Sequence, residues 1–373
     1  MSNRGLVVFA YSFPHKKTAD FLLHLKSFGF SNVTVIGAPK VQLKNNNSDI
    51  VFNILDEGIG LETEQLCKNL GYQYKTLRHD DVQSIKELLR ENNSPELALI
   101  SGGRIIPDAV INLFSEGVVN FHPGSIPETS GLDSFYWMIE NNSKPGTTVH
   151  FIDGRVDAGE LIFFHSLALS KEDTPAILKY KLYTNQLAAL KRFLRLLLNN
   201  QTLTTSLIDR PHKNKPIDLD RKKEVIEQFE YWKCEQIRLL SNFYSCFTAI
   251  EIGDQNLFND SYRQVFKEWK NDAGRTLLAE AAYHHRYKIA ELLINDGADV
   301  NSINDKGTTV LMYSKTKVLL EGNSREKLDF IQYLISKGAN PLLVDCFGKN
   351  IISYIPEKEI NLMAVLKGAS CIS

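Results

Sequence analysis

Gly117-Val118-Val119-Asn120-Phe121-His122-Pro123 is an apolar, β-branched run that ends in an amide, an imidazole and a proline. It reads as a buried strand. Residues two apart on a strand share a face, so Asn120 and His122 point the same way. Pro123 is expected to end regular pairing and leave His122 at the strand tip. Similar runs at residues 5–11, 32–36 and 97–100 alternate with helical spacing. One helical stretch covers about residues 17–28. Another carries Ile85, Leu88 and Leu89 on one face, with Asp80 as its expected cap. This alternation predicts an α/β fold, a Rossmann-like, mostly parallel sheet covered by helices on both faces. Ligands of such sheets sit beyond the carboxyl ends of the strands. Ser101-Gly102-Gly103 and Asn120-Phe121-His122 both fall at such an end.

Downstream, Thr147 to Phe151 and Leu161 to Phe164 read as two more strands joined by a polar loop. Residues 171–200 turn helical, with Asp173-Thr174-Pro175 as a start signal. Leu178, Leu182, Leu187, Leu190, Phe193, Leu194 and Leu197 form an apolar face too wide for a lone surface helix. Residues 201–220 resemble a linker. Residues 221–270 are aromatic and mixed, with Phe243 to Glu251 a candidate edge strand. The expected boundaries are a first domain over 1–205, a small mixed α/β middle segment over 206–268, and a helical domain over 269–373. A homodimer through residues 171–260 is expected, because that apolar face and the aromatic stretch need cover.

Residues 269–373 contain a repeat. Gly274-Arg275-Thr276-Leu277-Leu278 precedes a helical stretch and Gly297-Ala298-Asp299-Val300. Gly307-Thr308-Thr309-Val310-Leu311 precedes another and Gly338-Ala339-Asn340-Pro341. Gly348-Lys349-Asn350-Ile351-Ile352 opens a third copy that is expected to stop early. The period is 33 and then 41 residues, with the surplus assigned to an insertion near residues 320–324. The pattern resembles a short ankyrin array. So short an array buries little core alone, so it is expected to dock on the preceding domain.

Composition narrows the function. Lys and Arg total 43 and Asp and Glu 44, for a formal charge of -1, which argues against a nucleic-acid partner. The start lacks a signal peptide's long apolar stretch, Ser12 to Lys17 interrupts the run that follows, and no stretch approaches the ~20 apolar residues of a membrane span. Five scattered cysteines without a CxxC pair argue against a disulfide framework or a metal site. A cytoplasmic location without membrane attachment is expected.

The chemistry concentrates in residues 120–162: Asn120-Phe121-His122-Pro123-Gly124, Gly131-Leu132-Asp133, Tyr136-Trp137, Gly146-Thr147-Thr148-Val149-His150 and Asp157-Ala158-Gly159. An amide that cannot ionise suits a developing oxyanion, and an imidazole with an unperturbed pKa near ~6.5 suits proton exchange. A carboxylate would orient and tune that imidazole. Singly, Asn before a Pro-Gly turn is more often a turn residue and a lone His more often structural. Together the residues resemble the core of the folate-dependent formyltransferases, whose signature is Asn-x-His-Pro followed about 35 residues later by Asp. His122 and Asp157 are 35 positions apart. The resemblance covers about residues 1–220 and implies that Asn120, His122 and Asp157 are catalytic, with His150 the competing, structural histidine. The reaction would pass a formyl group to an amine through a tetrahedral intermediate.

The resemblance implies 10-formyltetrahydrofolate as donor and no metal. Its pterin would meet the loop of Gly103, Arg104, Ile105 and Ile106, with Asp153 and Gly154 facing it; Ser-Gly-Gly alone also suits a plain strand-to-helix turn. The motifs and the ankyrin-like tail look most like formyltransferases of nucleotide-linked amino sugars, which feed surface polysaccharide (O-antigen) synthesis. The implied acceptor is similar to a dTDP-linked 3-amino-3,6-dideoxyhexose. Tyr11, Tyr136 and Trp137 are candidates to contact it, though aromatics at helical spacing are more often core. A methionyl-tRNA formyltransferase, or a non-catalytic ankyrin interaction protein, is the alternative.

Overall fold

The apolar runs become strands shielded on both faces, and the helical stretches between them cover the sheet. The computed structural model describes residues 4–41, 49–51, 60–92, 94–103, 105–155, 157–198, 203, 205–208, 214–263, 265, 269–271, 273–304 and 306–370. The chain divides into two units, Met1–Arg195 with Leu203–Gln236, and Leu196–Thr202 with Ile237–Ser373.

The first unit begins β1 (Leu6–Tyr11), α1 (Lys16–Ser27), β2 (Val33–Ala38), α2 (Thr63–Leu70), β3 (Gln73–Thr76), α3 (Val82–Glu91), β4 (Leu97–Ile100) and α4 (Asp108–Ile111). It continues β5 (Gly117–Pro123), α5 (Ser134–Glu140), β6 (Gly146–Ile152), β7 (Gly159–Ser166), α6 (Pro175–Leu198), β8 (Ser206–Leu207) and α7 (Leu219–Glu227). The sheet order is β3-β2-β1-β4-β5-β6-β7-β8. The first five strands pair in parallel through helical crossovers, and β5 to β8 pair antiparallel. On one face Val7, Phe9, Ala98 and Val118 pack against Ile85, Leu89, Val110 and Phe114. On the other, Phe121 meets Phe21 of α1 at 5.3 Å and Phe193 of α6 at 5.9 Å, both edge-on. Each such ring removed from water is worth roughly 1.5–3 kcal/mol. Strand alternation then puts Asn120 and His122 on the Val118 face, opposite Phe121.

Several details differ from the sequence reading. Pro123 stays paired with Thr147, and the chain leaves the ladder after Gly124, whose nitrogen still donates to Gly146 O at 2.7 Å. Proline loses a donor but keeps its carbonyl, so an edge position tolerates it. Asp81 rather than Asp80 caps α3, accepting from Ser84 N at 3.1 Å, while Asp80 pairs with Arg78. Phe243 to Glu251 belongs to a helix, α8 (Phe229–Ile252), and the described elements within 206–268 are helices apart from β8. Leu239, Phe243, Cys246 and Ile250 recur at three- and four-residue steps and face one core. The division between units falls inside α8. Leu178, Leu182, Leu190, Phe193 and Trp232 are buried within the single chain, while Tyr231 and Ile252 of the same stretch are exposed.

In the second unit, α9 (Gln255–Tyr262) follows α8, and then come paired helices: α10 (Leu277–Tyr283) with α11 (Tyr287–Asn295), and α12 (Val310–Glu321) with α13 (Arg325–Ser336). A 3-10 turn, Ile351–Tyr354, with α14 (Ile360–Ser370) makes a third pair, so the last copy does not stop early. Asn271, Asn304 and Asp345 occupy equivalent turns, each side-chain oxygen accepting from the backbone nitrogens two and four residues on. Thr276 and Thr309 cap the first helix of their copies. The eight-residue surplus is absorbed by helix length: α12 has 12 residues against 7 in α10, and α13 has 12 against 9 in α11. The array does not bury its core alone. Leu239, Phe243, Cys246 and Phe258 of α8 and α9 join Leu278, Ala282, Leu293, Leu311 and Leu334 in one cluster.

Candidate active site

Asn120 and His122 leave β5 on the same face, and Asp157 reaches them from the β6–β7 loop. Asp157 sits at φ 49°, a left-handed conformation that costs a non-glycine residue roughly 1–2 kcal/mol. Its Oδ2 accepts from Gly131 N at 2.6 Å, and its Oδ1 lies 3.4 Å from both His122 Nδ1 and Asn120 Nδ2. Charge-assisted bonds of this kind usually run about 2.7–2.9 Å. The anchored oxygen is therefore firmly held, while the other faces two groups loosely enough to exchange them for a substrate. Burial works to raise the carboxyl, but His122 and the Gly131 N–H overcome it and hold Asp157 down at about 2.

The second ring nitrogen of His122 is already engaged. Nε2 lies 2.9 Å from Thr129 O, which only accepts, so Nε2 carries a proton and Nδ1 is the nitrogen left for chemistry. Thr129 is fixed by its hydroxyl, which donates to Ser125 O at 2.9 Å. A Cβ on Gly124, at φ 118°, would come within 2.4 Å of Thr129 Oγ1. The amide of Asn120 is oriented by His150. Burial, helped by His122, lowers His150 to about 4, so its ring is neutral at pH 7. With Nδ1 donating to Ala158 O at 3.2 Å, Nε2 accepts from Asn120 Nδ2 at 3.3 Å. One amide N–H is pinned and the other aims at Asp157.

A cleft of about 360 Å³ opens beside these groups, with Asn120, His122 and Asp157 in its lining. Ile100, Ile106, Ile152, Ile105 and Leu132 make its walls. The last two are 71% and 67% exposed and form apolar lips. Gly103, Asp153 and Gly154 also line it, whereas Arg104 lies outside the described residues. The Asp108 carboxylate packs against Gly154 so closely that a Cβ would meet it at 2.0 Å. Arg155, forked onto Asp153, stands at the rim. Two apolar lips over backbone edges suit a flat heterocycle with polar margins. Among the described residues no group of three or more His, Cys, Asp or Glu has the geometry to hold a metal ion.

None of the three aromatic candidates lines this cleft. The Tyr11 hydroxyl donates to Gly103 O at 3.1 Å, bracing the cleft loop from behind. Tyr136 is buried, with its hydroxyl donating to Asp49 and its ring between Lys179 and Lys222. It lines a second cleft of about 240 Å³ with Pro123, Lys179, Tyr183 and Gln186. Trp137 donates from Nε1 to Lys215 O at 3.1 Å and lines neither cleft. Sequence reasoning did not single out Thr129 or Asn214. Asn214 Nδ2 donates to Glu128 O at 2.8 Å and its backbone N to Ser130 O at 3.2 Å, pinning the loop that carries Thr129 and Gly131. A polar residue inside an apparent linker leaves no pattern to find.

Fold and site together define an α/β domain with an amide, imidazole and carboxylate gathered at the end of a parallel strand. Residues 27–194 match the family model described as formyl transferase, and residues 273–305 the one described as ankyrin repeat. The chain thus carries a formyltransferase domain and an ankyrin repeat. A methionyl-tRNA formyltransferase of Pelotomaculum thermopropionicum is 31% identical over 88 residues, 23% of this chain and 28% of that protein. The chain spans 28–41% of the length of the first curated relatives it matches. Among solved structures, a phosphoribosylglycinamide formyltransferase from Anaplasma phagocytophilum is 17% identical with a TM-score of 0.41, covering 56% of this chain and 99% of that one. A sugar N-formyltransferase from a Shewanella species is 16% identical with a TM-score of 0.39, covering 61% and 88%.

Proposed function

We propose that the chain transfers a formyl group from 10-formyltetrahydrofolate to the amino group of a nucleotide-linked amino sugar, of the dTDP-3-amino-3,6-dideoxyhexose kind used in surface polysaccharide synthesis. The observation that carries the reading is the convergence of Asn120, His122 and Asp157 on one apolar-lipped cleft. Ile105, Ile106, Leu132 and Ile152 would hold the folate ring, with backbone at Gly103 and Asp153 reading its polar edge. The donor brings a formyl group on a nitrogen that leaves once it is protonated. Asn120, with one N–H pinned by His150, turns the other to the oxygen that becomes negative. His122 takes the acceptor's proton at Nδ1 and hands it to the leaving nitrogen. Asp157 keeps its charge and stabilises the imidazolium formed between those steps.

The second cleft supports a small acceptor. It adjoins the first at the Gly131–Asp133 turn, since Leu132 lines one and Asp133 the other, and it offers Lys179, Tyr183 and Gln186 as polar contacts. Methionyl-tRNA, the acceptor in the names of the curated relatives, would call for phosphate-binding charge, against a formal net charge of -1. Incubating the full chain with formyl-folate and a panel of nucleotide-linked amino sugars, with methionyl-tRNA as a further arm, tests the reading. One acceptor sugar should gain the mass of a formyl group. Transfer only to methionyl-tRNA, or to nothing, would reject it.

A further inference from the structure

The Phe121 carbonyl lies between Asn120 and His122, and one edge of the sheet does not reach it. On the β6 edge Phe121 pairs with Val149. On the other edge the last β4–β5 pair is Leu99 with Val119, and β4 ends at Ile100. Lys17, in the first turn of α1, occupies the gap. Its Nζ donates to Phe121 O at 3.4 Å and lies 5.4 Å from the centroid of the Phe21 ring. An ammonium taken out of water is costly unless paired. Asp20, one turn along α1, is engaged by Lys16 at 3.0 Å and by the Tyr183 hydroxyl. Among the described residues Lys17 forms no ion pair.

We propose that Lys17 is a positioning residue of the formyl-transfer site. Its ammonium takes the place of a strand partner at the Phe121 carbonyl and holds the peptide that carries Asn120 on one side and His122 on the other. The inference rests on the formyl-transfer reading above. At 3.4 Å the contact is long for a charge-assisted bond, so its hold on the carbonyl comes mainly from the ammonium's charge and weakens when Lys17 loses its proton. Burial brings that loss down to about 8. The titratable groups of its own helix and cap are His15, Lys16 and Asp20, and from α6 the Tyr183 hydroxyl engages Asp20. His15, lowered to about 4 by burial and then by Lys17, is neutral there, and Lys16 and Asp20 offset one another.

The test compares the full chain as wild type, Lys17→Arg and Lys17→Met for formyl transfer from neutral to alkaline pH. Lys17→Met should lower kcat about 10- to 100-fold while KM for the folate stays unchanged. It should also lack the alkaline fall expected of wild type above pH about 8. Lys17→Arg, which keeps its proton at every working pH, should restore kcat and carry activity to higher pH. Wild-type kcat with a wild-type pH profile in Lys17→Met would overturn the inference. If Lys17→Met does not fold, the Arg variant decides: an alkaline limb unmoved from wild type overturns the proposal, and a displaced one supports it. Wild type active, His122→Ala inactive and Lys17→Met unchanged refutes the role of Lys17 alone, whereas an inactive wild type removes both readings.

Discussion

Asp157 remains charged against its own burial because one oxygen is held by Gly131 and the other faces His122. Its folded value of about 2 lies below the ~3.9 of an unfolded aspartate, so the unfolded chain takes up the proton first. Its contribution to stability is complete above pH ~4 and is lost as the pH falls towards 2. His150 acts over a higher window, from the ordinary ~6.5 down to about 4, because burial keeps its folded ring neutral. Urea unfolding at stepped pH should show both losses, and Asp157→Asn should remove the lower one; an unchanged slope below pH ~4 would exclude it. The same variant should reduce turnover by about 10²- to 10⁴-fold without loss of fold, read in steady-state kinetics. Asn120, His122 and Asp157 were readable as letters at fixed spacing. The Thr129 carbonyl and Gly131 N–H that set their orientation were not, because every residue carries those groups.

At the scale of the element, β5 serves two masters through strand alternation. Phe121 fastens the strand to α1 and α6, and its neighbours present the site. Phe121→Ala should cost roughly 3–5 kcal/mol of stability, visible as a lower urea midpoint. The turn after β5 should behave differently. Gly124→Ala must displace Thr129, whose carbonyl holds His122, so turnover should fall more than stability; equal losses of both would contradict this. Strands β1, β2, β4 and β5, the crossovers α1 and α3 and the β6–β7 hairpin were legible from apolar runs and turn residues, whereas α2, β3, α4 and β8 were not. The helical identity of residues 243–251 was not, since an aromatic run fits a strand or a helix until its partners are known.

Across the molecule, the second unit shows why a short repeat array can exist. Its core extends into α8 and α9, which supply apolar area that three helix pairs lack. Leu278→Ala, at a fully packed position, should cost about 2–5 kcal/mol. Hydrogen exchange should rise at amides within residues 237–370, and a rise spread evenly over residues 1–236 would contradict the division into two units. No helix among the described residues is long and apolar enough to cross a membrane.

The alternation of the main strands and helices, the 33-residue repeat and the spacing of an amide, an imidazole and a carboxylate follow from local pattern, because period and spacing are properties of the chain alone. The two clefts, the neutral His150 that turns Asn120, the lysine beneath β5 and the cover over the apolar faces depend on segments far apart in sequence meeting in space. No residue's letter records its distance from a residue a hundred positions away, and burial and hydrogen-bond geometry are functions of that distance.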